Sequence, residues 1–225
     1  METERRTGRL VGALILAQMV GSYVVNFVLL APLSSAPGGL LVNAAKDPLR
    51  VGVWALVGLV AGALSLAIGI TAWPVLRRHS ARLALWIVAL GAVSLALLVV
   101  EHAGLLAVLS LSEAYSSAPA PPAGLYEAVA LLARSLRNWM HYSGLVVAGS
   151  MYLVFFATLY RDRLVPRPLS GFGVLAVLLQ IASVSLPFLG REVSFPLLMP
   201  VGLSHLALSA WLLWRGFNDT PAGGA

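Results

Sequence analysis

Glu101 is the one carboxylate set well inside a long apolar run of this sequence, and His102 follows it directly. Further along come Arg134, Arg137, Asn138 and His141. Helical residues three and four apart share a face. These four therefore form one stripe, continued by Gly144 and Ala148, while Gly91, Ser94, Leu98, Glu101 and His102 form another. If the two helices are consecutive and antiparallel, the stripes oppose, and a carboxylate, two imidazoles and two guanidiniums converge. Asn26, from the first apolar run, falls at a similar depth. Such a cluster supports three kinds of chemistry. The first is a structural ion pair in which Arg134 or Arg137 holds Glu101 and the histidines satisfy backbone carbonyls. The second is a pocket for a ligand or a lipid headgroup. The third is a metal or acid–base site, since imidazole and carboxylate are proper ligands for zinc, iron or copper. The spacing gives the third little support. Glu101 and His102 are adjacent, so they point about 100° apart on a helix. H-x-x-x-H, H-E-x-x-H and paired-aspartate motifs are absent. No metal site is assigned, and the cofactor stays unknown.

Three more polar residues, Gln18, Gln180 and His205, fall near the middle of their apolar runs. Pro200 frees a backbone carbonyl five residues before His205, and a lone intramembrane histidine most often bonds such a carbonyl or a neighbouring glutamine. The chain lacks cysteine, which excludes disulfides, thiolate metal sites and cysteine nucleophiles. It also lacks a Walker loop, a Rossmann glycine pattern and G-x-S-x-G. Neither a voltage-sensor arginine ladder nor the matching broken helices of a secondary transporter is evident.

The elements that must position these residues follow from composition. Of 225 residues, 59% are apolar and 11% are charged, whereas a soluble domain carries about 25% charged residues. Runs at 10–30, 51–73, 83–109, 140–160, 169–189 and 195–214 each approach the ~20 residues needed to cross a bilayer as a helix. The expected fold is all-α: one polytopic domain, 1–217, with six transmembrane helices, then a disordered tail, 218–225. The first run is too long for a signal-peptide core and is expected to be retained. Loops are expected at 31–50 and 110–136, the second with a proline-rich stretch and then an extension of the fourth helix from Gly124. Glycines 58, 62 and 69 with Ser65 form a small-residue stripe, which suits close packing within the bundle or a homodimer seam.

Arg5, Arg6, Arg9, Arg77, Arg78, Arg82, Arg161, Arg163, Arg167 and Arg215 fall on one side of the expected spans; Lys46, Arg50, Arg134, Arg137 and Arg191 fall on the other. The positive-inside rule then places both termini in the cytoplasm. Trp73, Trp86, Trp139, Trp211 and Trp214 sit near span ends as interfacial anchors. The net charge of +6 comes from arginines between apolar runs rather than on one polar face, which points to membrane lipids as partners and not to nucleic acid.

The chain resembles the bacterial multi-helix membrane proteins grouped as a domain of unknown function of the DUF4386 type. The resemblance covers nearly the whole chain. It rests on Asn26-Phe-Val-Leu-Leu with Pro32-Leu33, Leu41-Val-Asn-Ala-Ala, Leu64-Ser-Leu-Ala-Ile, Glu101, Leu159-Tyr-Arg-Asp-Arg-Leu-Val-Pro-Arg-Pro-Leu-Ser and Leu208-Ser-Ala-Trp-Leu-Leu-Trp-Arg-Gly-Phe. Such proteins commonly carry Phe-Glu where this chain has Ser204-His205. The resemblance implies a multi-pass protein of the bacterial cytoplasmic membrane and no particular chemistry. The expected function is non-catalytic binding of a lipid, a small hydrophobic ligand or a partner membrane protein. The alternatives are a membrane-embedded enzyme using Glu101 with His102 or His141, with or without a metal, and a small transporter.

Overall fold

A computed structural model describes residues 2–119 and 122–218. Helix α1 spans Glu2–Tyr23 and continues as a π-helical turn over Val24–Leu30. Two short helices follow, α2 (Ala31–Ser35) and α3 (Gly39–Asn43). The long helix α4 covers Pro48–Ser117, α5 covers Ala123–Arg161, α6 covers Arg167–Ser185 with a 3₁₀ turn over Leu186–Leu189, and α7 covers Phe195–Arg215. Among the described residues there are no strands. Five helices among these residues are long and apolar enough to cross a membrane, and α4 is two of the expected spans in one. The chain is an all-α polytopic membrane protein.

The bend in α4 lies at Ser80, whose backbone is extended (φ −161°, ψ 104°). Ser80 Oγ accepts the backbone N–H of Leu83 at 3.3 Å. It thereby caps the second leg as an N-cap serine does. The legs fold back on each other: a Cβ built on Gly62 meets Leu98, one on Gly69 meets Ile87 and Val88, and one on Gly91 meets the Leu66 backbone. The small-residue stripe is thus used inside the hairpin, where missing side chains let the legs approach.

Side-chain and backbone contacts sort the chain ends. Arg78 pairs with Glu4 at 2.7 Å, Arg9 donates to the Trp214 carbonyl at 3.5 Å, and Asn218 N–H donates to the Leu164 carbonyl at 2.8 Å. The start of α1, the α4 bend, the α5–α6 turn and the end of α7 therefore share one end, which carries the ten arginines. Gly216 there has φ 74° and lies against the Arg5 backbone, a conformation and a closeness that suit only glycine. At the opposite end Ala45 N–H donates to Ser112 Oγ at 2.9 Å, and Tyr115 meets Tyr126 edge-on at 5.3 Å.

Packing divides along the same axis. The arginine-rich half has a packed apolar core in which Ile15, Ile68, Ile87, Phe155, Phe156 and Leu208 have no solvent exposure. A smaller core at the other end joins Val25 and Leu30 to Leu33, Leu40, Trp54 and Leu105. The outer surface is apolar too: Leu56, Val60, Phe27 and Met199 are each more than 60% exposed. A soluble protein avoids contiguous exposure of that kind. In lipid it costs nothing, and close packing rather than water exclusion holds the helices together.

Several expectations are corrected. The first helix begins at Glu2, eight residues before its apolar run. It widens at Val24–Leu30 because Pro32 cannot donate to the previous turn, and the Ala31 N–H bonds Asn26 instead. The 31–50 segment is largely helical. Its Asn43 donates to the Pro37 and Gly39 carbonyls at 3.0 and 2.8 Å, which ties the turn together. The third span continues to Ser117. Asn218 is not loose: its side chain also donates to the Arg163 carbonyl at 2.9 Å. Residues 120–121 of the proline-rich stretch and 219–225 of the expected tail lie outside the described residues.

Candidate functional site

Gly104 sets the register between the second leg of α4 and α5. A Cβ there lies 3.6 Å from Arg137 Cβ and 3.7 Å from the Ala133 carbonyl, so the two backbones run close. One turn deeper on α4, Glu101 then faces Arg137 and His141. Arg137 Nη2 lies 3.1 Å from Glu101 Oε1, and His141 Nδ1 lies 3.1 Å from the same oxygen. Arg137 Nη1 also donates to Asn138 Oδ1 at 3.2 Å. Glu101 is buried, and its other oxygen takes no hydrogen bond among the described residues.

His102 turns the other way, as its position one residue on requires. Its Nδ1 bonds the Leu98 carbonyl at 2.9 Å. The ring stacks on Trp54 with centroids 4.2 Å apart and planes 17° apart. Gly58, one turn beyond Trp54 on the first leg, makes room for it: a Cβ at Gly58 would fall on His102 Nε2. With Nδ1–H donating, Nε2 of the neutral ring bears a lone pair. That atom is buried and has no partner among the described residues, and the same holds for Trp54 Nε1 and Arg137 Nε. Each unmet buried group costs on the order of 1–3 kcal/mol, and most such groups in proteins are satisfied.

All three orphaned residues line one cavity of about 190 Å³ between α1, both legs of α4 and α5. Its wall includes Gln18, Ser22 and Asn26 of α1, Ser65 and Ser94 of α4, and Gly144 and Ala148 of α5. An engineered cavity of about 150 Å³ admits benzene, so this chamber has room for a ring-sized group. Its floor is polar. Gln18 Nε2 donates to Ser65 Oγ, and Tyr152 donates its hydroxyl proton to Gln18 Oε1. Below Tyr152 the packing is apolar. His205 lies against Tyr152 at 4.2 Å and against Phe156 at 5.9 Å, with its Nε2 unpartnered. The expected bond to a carbonyl or glutamine is replaced by ring stacking. Ser204, beside it, donates to the Val201 carbonyl at 2.8 Å. Gln180 Oε1 is likewise buried without a partner.

Of the expected cluster, the structure brings together Glu101, Arg137, His141 and Asn138. Asn26 lines the chamber but bonds its own helix, at the Ser22 carbonyl, 2.9 Å away. Arg134 stays clear of Glu101 and lines a second cavity of about 260 Å³ with Arg137, Asn138, Ser34 and Leu40. Arg137 belongs to both cavities. No group of three metal-ligating side chains occurs among the described residues. Sequence reasoning missed Trp54 and Tyr152. Both were within reach of spacing: Trp54 is four residues before Gly58 on the glycine stripe, and Tyr152 is four residues after Ala148.

Comparison with known proteins adds the family. A family model described as "Domain of unknown function (DUF4386)" matches residues 10–216. No curated protein matches the chain, and no solved structure does. With the match running from the first apolar run to the end of α7, the chain belongs to the DUF4386 family.

Proposed function

We propose that this protein is a non-catalytic membrane receptor for a lipid or small hydrophobic ligand, held in the chamber around Glu101. One observation carries the reading: the unpartnered nitrogens of Trp54, His102 and Arg137 lie on residues that line a single ring-sized cavity. Ligand pockets are typically apolar with a few placed polar groups, and this chamber has that composition. A map of the protein in its own lipid tests it. Non-protein density touching Trp54 or Glu101 is expected, and a chamber filled by rearranged side chains contradicts it.

The runner-up is a membrane-embedded enzyme, favoured by the 3.1 Å contact of Glu101 with His141, which resembles a carboxylate-oriented general base. Turnover of any added lipid that fails in Glu101→Gln would shift the reading to it. We place the chain in a bacterial cytoplasmic membrane, crossing six times with both termini inside, on the clustering of ten arginines at one end. The chain has no cysteine, so a cysteine placed at Ser80 or Ser117 is a clean reporter. Ser117 should react with an impermeant reagent in intact cells and Ser80 should not.

A further inference from the structure

We infer that the ligand of the chamber is an acidic amphiphile whose carboxylate or phosphate sits between Arg134 and Arg137, in the cavity beside the chamber. The inference rests on the reading of the chamber as a ligand site. Arg134 and Arg137 are three apart on α5 and share a face. Both line the outer cavity of about 260 Å³, together with the amide of Asn138 and the hydroxyl of Ser34. Among the described residues no carboxylate lines that cavity. Glu101, the carboxylate of the neighbouring chamber, is engaged with Arg137 and His141. Arg134 makes no hydrogen bond or ion pair with any described residue. The two cavities thus hold two guanidiniums and one carboxylate, and that carboxylate is paired with Arg137. Arg137 is held at Nη1 by Asn138 and at Nη2 by Glu101, and its Nε–H is left without an acceptor.

Guanidinium donors match the paired oxygens of carboxylate and phosphate. A neutral ligand would leave the surplus charge unanswered, and a cationic one would add to it. Because Arg137 lines both spaces, an acidic end at Arg134 lies next to the ring-sized chamber that Trp54 lines.

The test uses the full chain in maltoside detergent with four probes: dodecyl phosphate, dodecanoate, dodecanol and inorganic phosphate. Both acidic amphiphiles should bind at least about tenfold more tightly than dodecanol. Arg134→Gln should erase that margin while leaving the unliganded melting temperature unchanged, since Arg134 is exposed. If dodecanol binds as well as the acids and Arg134→Gln has no effect, the acidic assignment is overturned and the chamber reading stands. If inorganic phosphate alone binds through Arg134 as tightly as dodecyl phosphate, the anion is a soluble one and the amphiphile is overturned. If no amphiphile binds, the chamber reading falls as well.

Discussion

Glu101 organises its surroundings because it cannot be left alone. A carboxylate at membrane depth is costly unless it is neutral or paired, and here one oxygen meets both a guanidinium and an imidazole. Glu101→Gln would leave Arg137 charged and largely buried without its counter-ion. Breaking a buried pair costs about 3–5 kcal/mol; the low end applies, because Arg137 retains some access through the outer cavity. Replacing both partners, as in Glu101→Leu with Arg137→Met, should recover most of the loss. Melting of the two single variants and the double variant in detergent measures the coupling, and additive losses would show that the pair is not structural. The convergence of Glu101 with Arg137 and His141 was legible in the sequence, since helical spacing fixes faces and intramembrane charge turns inward. The selection of Arg137 over Arg134 was not, because it depends on the register that Gly104 sets between two helices. Trp54 escaped because a tryptophan in an apolar run reads as a lipid or interface contact, although its place on the glycine stripe and its partner His102 mark it as interior.

At the scale of elements, the α4 hairpin holds the site, and its glycines differ in what they make room for. A Cβ at Gly58 meets the His102 ring, which is fixed by the Leu98 carbonyl and by Trp54. A Cβ at Gly62 meets the free end of the Leu98 side chain, which can turn aside. Gly58→Ala should therefore destabilise by about 1–3 kcal/mol, the usual cost of overpacking, and Gly62→Ala by clearly less. Equal melting temperatures for the two variants would mean that His102 is not held as described. The hairpin itself was anticipated as two spans with a short basic connection. That the reversal takes place at Ser80 alone was hidden, because Arg77–Arg82 carries neither glycine nor proline to mark a turn. The π-helical turn before Pro32 and the short helices α2 and α3 were also hidden: their apolar patterns are too brief to separate from loop.

Across the whole molecule, the two ends differ in what lines their cavities: those of the arginine-rich end lie among Arg5, Arg9 and Trp214, and those of the opposite half reach Glu101 and Arg137. The core behind the arginine-rich end packs aromatic and branched side chains without exposure, and the opposite half carries the two cavities that Arg137 lines. The fold class was legible from hydropathy alone, since a membrane admits few backbone solutions. The cavities were not, because a void is a property of how helices splay and leaves no mark on composition. Gly144 offers the most direct test of the chamber. A Cβ there meets only Leu97, at 3.9 Å, so Gly144→Leu can fill the space without forcing the helices apart. Native mass spectrometry of both proteins, released gently from their own membranes, reads the outcome. The wild-type chain should retain a non-covalent lipid-sized mass that Gly144→Leu loses while melting no lower; a wild-type chain that emerges bare, or two chains that carry the same mass, would contradict a ligand in the chamber.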